Sequence, residues 1–206
     1  MVMKILLSDA GKRYNREWIF RHLTYEFNTG NAYAITGNNG SGKSTLLQVI
    51  AGAVQHNEGV IEFIFDGKKV EAEQHHQYLS IAAPYLELPE EMTLTEVLKF
   101  HQSFKPFLTD TAAIIHILGL KHAAQKQIRY YSSGMKQRVK LATAIFSDVP
   151  VLLLDEPTTN LDTDGIALYH HLIQQYASGK LVVVSSNDEQ EYKFCKEKLS
   201  IMKYKS

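Results

Sequence analysis

The chain has 206 residues, 45% hydrophobic and 21% charged, with 22 basic side chains against 22 acidic ones. A chain of this size buries roughly 70% of its unfolded surface, so it reads as one globular domain that needs no disulfide or metal staple. The charge balance excludes a broadly basic nucleic-acid or membrane-binding surface, the single Cys195 excludes an internal disulfide and fits a reducing, cytoplasmic setting, and no apolar run approaches the 18 residues of a membrane span.

In chain order, the first third reads as antiparallel. Residues 2–7 and 18–27 are strand-like, and the opening run lacks the long apolar region and cleavage site of a signal peptide. Residues 59–70, "GVIEFIFDGKKV", alternate around Asp66-Gly67, a hairpin signal. A different texture appears in "AYAIT" (32–36), "LSIAA" (79–83), "VLLLD" (151–155) and "LVVVS" (181–185). Such short, continuously apolar runs suit parallel strands covered on both faces. Helical signals fall at 44–51, 94–104, 110–118, 136–146 and 166–176. The expected fold class is α/β: a single domain over 1–206 with a mixed sheet core, an N-terminal antiparallel β subdomain and a helical subdomain inserted at about 86–135. Adjacent histidines (His75/His76, His170/His171) point about 100° apart on a helix, which suits shared metal ligation poorly.

The stretch "GNNGSGKST", 37–45, fits G-x-x-x-x-G-K-[ST] and lies between an apolar strand and an apolar helix. Gly37, Gly40 and Gly42 let the backbone turn tightly, so that successive N–H groups across Asn38, Asn39 and Ser41 converge on one phosphate-sized concavity. The helix that follows adds its positive N-terminal end. Lys43 reaches the β- and γ-phosphates, Ser44 offers a hydroxyl to Mg²⁺, and Thr45 bonds the α-phosphate. The loop resembles that of the P-loop NTPases, which implies a RecA-like core.

Two later segments complete the pattern. "VLLLDEP" (151–157) ends a buried strand in two carboxylates. Asp155 is placed to hold Mg²⁺ with Ser44, and Glu156, one residue on, to orient or deprotonate the water that attacks the γ-phosphate. Just before it, Ser132, Ser133 and Gly134 open a helix, where free N–H groups and hydroxyls cap the helix or meet an anion.

The order of phosphate loop, "SSGMKQR" and "LLLDEPTTNLD" resembles the nucleotide-binding subunit of the ABC ATPases over nearly the whole chain. "SSGMKQR" is the decisive element, similar to the family's "LSGGQ" signature. The resemblance implies a head-to-tail dimer, homo- or heteromeric, with two ATP molecules at the interface. Ser132, Ser133 and Gly134 would then serve the ATP held by the other copy's loop. Asn160, Leu161 and Asp162 match the D-loop that contacts that copy, and Tyr14 matches the aromatic that stacks on adenine.

Three positions depart from the family pattern. Tyr85 stands where a glutamine usually touches Mg²⁺, and Asn187 stands where a histidine usually contacts the γ-phosphate. Met135 replaces the signature's glutamine. An Asn187 amide still donates a hydrogen bond but carries no charge, so weakened turnover is expected; its plainer role is a helix cap before Asp188. The implied function is an ATP-hydrolysing subunit on the inner face of a membrane, driving transport, with a lean toward export, through a separate transmembrane permease. No nucleic-acid partner is expected. The rival readings are a soluble ABC ATPase acting on ribosomes or nucleic acid, and a regulatory module that binds ATP with little hydrolysis.

Overall fold

The computed structural model describes residues 2–205. The strands in chain order are β1 (Met3–Tyr14), β2 (Glu17–Asn28), β3 (Ala32–Thr36), β4 (Glu58–Phe65), β5 (Lys68–Val70), β6 (Leu79–Ala82), β7 (Val151–Asp155), β8 (Leu181–Ser185) and β9 (Glu197–Ser200). The helices are α1 (Lys43–Ile50), α2 (Leu94–Gln102), α3 (Thr111–Ile117), α4 (Ser133–Ile145), α5 (Thr163–Tyr176) and the single turn α6 (Glu189–Tyr192). Parallel and antiparallel pairing are both present, but in separate sheets. One is antiparallel in the order β2-β1-β4-β5; the other has the order β6-β7-β8-β3-β9, with β7, β8, β3 and β9 paired in parallel.

Packing divides the described residues into two compact units. The first holds 2–81, Pro150–Glu156 and 179–205. Its antiparallel strands follow the alternation of the sequence: Met3, Ile5 and Leu7 of β1 are buried, while Lys4 and Leu6 between them are half-buried. Asp66 and Gly67 both take positive φ (46° and 78°), as a two-residue hairpin needs to match the twist of its strands. β7 and β8 are buried along their whole length, which explains their unbroken apolar runs. Leu46, Leu47, Val49 and Ile50 of α1 join the same core as β3, β7 and β8.

The second unit holds Ala82–Val149 and Pro157–Ser178. It reaches further than the 86–135 stretch expected to be helical, because α4 packs against both α2 and α5. Local signals set its helix starts. Thr93 and Glu96 form a reciprocal capping box at α2, and Asp110 accepts from the Ala113 N–H at α3 (2.8 Å). No helix among the described residues is long and apolar enough to cross a membrane.

A half-buried histidine is expected to give this unit a pH dependence. His101 on α2 stacks on Phe107 (5.2 Å between ring centres, 7° between planes). Its Nε2–H donates to Ser147 Oγ (2.9 Å), a hydroxyl that itself donates to Thr143 O (2.6 Å). Burial, and secondarily the Lys105 charge, bring its pKa down to about 4. In the unfolded chain a histidine titrates near about 6.5. Between those values the unfolded state binds a proton that the folded state refuses. The stability from neutral His101 is thus complete above about pH 6.5 and is lost as the pH falls toward 4. The melting temperature, followed by calorimetry, is expected to drop through that window, and to drop less steeply in His101→Gln.

Candidate functional site

The site is built where β3 runs into α1. The connecting loop closes on Gly42, which caps α1 with φ 101°. A Cβ there would lie 2.2 Å from Ile19 Cγ2, so this position takes only glycine. No side chain caps α1, which leaves the N–H groups of its first turn available to a ligand. The Lys43 side chain is 5% exposed and donates to Gly37 O (3.0 Å) and Asn38 O (3.2 Å). Its charge is held within the loop rather than extended into solvent.

The 39–45 segment, Ile19 and Glu156 line one open cleft of about 240 Å³. Glu156 follows β7 directly and takes φ 42°, a left-handed conformation costing about 1–3 kcal/mol for a residue with a Cβ. Its N–H donates to Ser185 O (2.9 Å), which ties it to the end of β8. This turn gives Glu156 a direction different from the alternation of β7, and it lines the phosphate-loop cleft. Asp155, 2% exposed, stays in the sheet. Burial raises its pKa, with the hydroxyls of Ser185 and Ser44 and the Lys43 charge pulling it back down. Three buried oxygens here, Ser41 Oγ, Asp155 Oδ1 and Ser185 Oγ, have no hydrogen-bond partner. An unsatisfied buried carboxylate oxygen beside a serine hydroxyl is the hard-oxygen chemistry that Mg²⁺ takes, so the residues present fit that ion.

β8 ends at Ser185, and the polar segment beyond it reaches the same loop. Asp188, not Asn187, caps the short α6: its carboxylate accepts from the Gln190 N–H (2.9 Å), and its own N–H donates to Ser186 Oγ (2.9 Å). The capping alternative for Asn187 is therefore replaced. Asn187 instead donates through Nδ2 to Oδ1 of Asn39 in the phosphate loop (2.9 Å). Tyr14, at the end of β1, is 47% exposed, has the Lys12 ammonium 4.7 Å from its ring centre, and does not line the cleft.

The remaining sequence-predicted residues gather in the second unit. Ser132 caps α4, accepting from the Met135 N–H (3.2 Å), and Asp162 caps α5, accepting from the Gly165 N–H (2.8 Å). Arg138 Nη2 donates to the same Asp162 Oδ1 (3.1 Å). The Gly165 N–H and then Arg138 hold the Asp162 carboxyl below the usual range. Ser132, Ser133, Gly134, Asn160 and Asp162 all line one pocket of about 380 Å³. At Gly134 a Cβ would lie 3.0 Å from Asn160 O, so a small residue lets the two segments approach. Tyr85 lies in this unit, 45% exposed.

Two residues of "SSGMKQR" contribute in ways the motif alone does not assign. Gln137, 3% exposed, donates to Pro157 O (2.8 Å) and fixes the segment after Glu156; Arg138 fixes Asp162. Each sits four residues beyond a pocket residue, Ser133 and Gly134, on the same face of α4. Helical spacing would have found them.

A sequence model described as ABC transporter matches residues 20–159, more than half of the chain. The chain belongs to the ABC transporter family. The cytochrome c biogenesis ATP-binding export protein CcmA of Rhodopseudomonas palustris (strain HaA2) is 36% identical over 190 residues, covering 88% of this chain and 91% of that one. CcmA of Haemophilus influenzae is 29% identical over 210 residues, covering 98% and 97%. Among solved structures, an ABC transporter ATP-binding protein from Pyrococcus furiosus superposes with a TM-score of 0.82 at 23% identity, covering 98% of this chain and 100% of that one. The dimeric structure of MJ0796, a bacterial ABC transporter cassette, superposes with a TM-score of 0.80 at 22% identity, covering 95% and 93%. These likenesses carry the fold, that of an ABC nucleotide-binding domain with its P-loop core. As a member of the ABC family's ATP-binding class, the chain is a nucleotide-binding ATPase domain.

Proposed function

We propose that the chain is the ATP-binding and hydrolysing subunit of an ABC transporter, acting through a separate transmembrane permease and held by it at the inner face of the membrane. The observation that carries this reading is the cleft in which the phosphate loop and Glu156 meet. The loop's N–H groups, the N-terminus of α1 and Lys43 bind the phosphates of ATP. Thr45 bonds the α-phosphate, and Tyr14 stacks on adenine. Ser44 and Asp155 would hold Mg²⁺, which when bound neutralises phosphate charge. Glu156 accepts a proton from the attacking water and aligns it with the terminal phosphate. Asn187 stands beside that phosphate.

The pocket of Ser132, Ser133, Gly134 and Asp162 serves the ATP held by a second ATP-binding subunit, the same chain or another. The dimeric MJ0796 structure supports that arrangement. The CcmA relatives are ATP-binding export proteins, which favours export. Turnover is expected to be low, because Tyr85 and Asn187 replace a glutamine and a histidine. The balance of 22 basic and 22 acidic side chains speaks against a ribosome- or DNA-bound ATPase. Affinity capture of the chain from detergent-solubilised membranes tests the reading. A stoichiometric multi-span protein is the expected companion; ribosomes or nucleic acid in its place would favour the soluble alternative.

A further inference from the structure

The phosphate loop carries two side-chain amides, and one of them is tied from outside the loop. Asn39 lines the cleft, and its Oδ1 accepts from Asn187 Nδ2 at 2.9 Å. An amide is planar and two-ended: fixing which end faces Asn187 fixes which end is left for a ligand. With its carbonyl oxygen taken, Asn39 offers its NH₂ group. Turned the other way, it would offer a carbonyl oxygen, which repels phosphate. The anchor for this choice is itself held. The Asp188 N–H donates to Ser186 Oγ, Asp188 caps α6, and the Ser186 N–H donates to Ile35 O (3.2 Å) in β3, the strand that leads into the loop.

We propose that Asn187 is a positioning residue: it orients the Asn39 amide so that its NH₂ end meets the terminal phosphate, and so sets the preference for ATP over ADP. This rests on the reading of the cleft as an ATP site. It also assigns work to the position where a histidine's charge is missing, because a neutral donor is what orients an amide. Both side chains are exposed, so the tie by itself adds little to stability. Its effect appears when bound nucleotide excludes water from the pair.

The test is a double-mutant cycle read as the ratio of ATP to ADP affinity, by isothermal titration of the full chain with Asn39→Ala, Asn187→Ala, both together, and Asn187→His. Each alanine variant is expected to cut the ratio about tenfold, the size of one phosphate hydrogen bond. The double variant should cut it no further. Asn187→His, which keeps a ring N–H donor, should restore the ratio. Losses that multiply in the double variant would overturn the coupling, as would an unchanged ratio in Asn187→Ala. Folding of each variant is checked by its melting temperature. A wild-type chain that binds neither nucleotide would instead overturn the reading of the cleft, and this inference with it.

Discussion

Replacing Glu156 with glutamine is expected to lower steady-state ATP hydrolysis by about 10²–10⁴-fold, the range that loss of a positioned general base produces, and to leave ATP affinity close to that of the wild type. The two effects separate because of where the residue sits. It lines the cleft but belongs to the β7 end, outside the loop whose N–H groups and Lys43 are proposed to hold the phosphates. Its backbone is strained at φ 42° and tied by its N–H to Ser185 O. Glutamine keeps the length, the shape and that backbone bond. It removes the capacity to accept a proton. Phosphate release and nucleotide titration on the same preparation check both halves. Equal loss of binding and turnover would place Glu156 among the phosphate-holding groups instead.

Gly42→Ala is expected, by contrast, to act on nucleotide binding itself. The added Cβ would sit 2.2 Å from Ile19 Cγ2, at φ 101°. The conformation costs an L-residue about 1–3 kcal/mol, and crowding a packed site costs a further 1–3, so about 2–6 kcal/mol bears on the turn. The loop and the first turn of α1 relieve that strain by moving, and the N–H groups then no longer converge. ATP affinity should fall on the order of 100-fold. Ile19→Ala in the same chain removes the clash but not the backbone strain, so it should restore part of the binding. Titration of the single and double variants, with melting temperatures alongside, separates loss of the site from loss of the fold.

The site was legible wherever chemistry follows from local sequence. The strand–loop–helix setting of 37–45, the buried strands that end at Asp155 and Ser185, and the Asp66-Gly67 hairpin all follow from residue type and spacing. The extent of the helical unit was not legible. It depends on α4 and α5 packing side by side, and they are separated in sequence by a buried strand. Asn187 was legible as a departure from a pattern, but its partner was not. No rule of spacing links it to Asn39, 148 residues away. The same holds for Arg138 and Asp162, which lie 24 residues apart and meet at the cap of α5. The left-handed turn at Glu156 was also hidden, because nothing in "LLLDEP" demands a positive φ.

The central claim is that this chain hydrolyses ATP in a site completed by a second cassette. Phosphate release from ATP by the wild-type chain, measured across a wide range of protein concentration, tests it most directly. The account predicts an activity per molecule that rises with concentration, since the phosphate-loop cleft of one copy needs Ser132, Ser133 and Gly134 of another. An activity per molecule that stays constant down to the lowest concentration would contradict it.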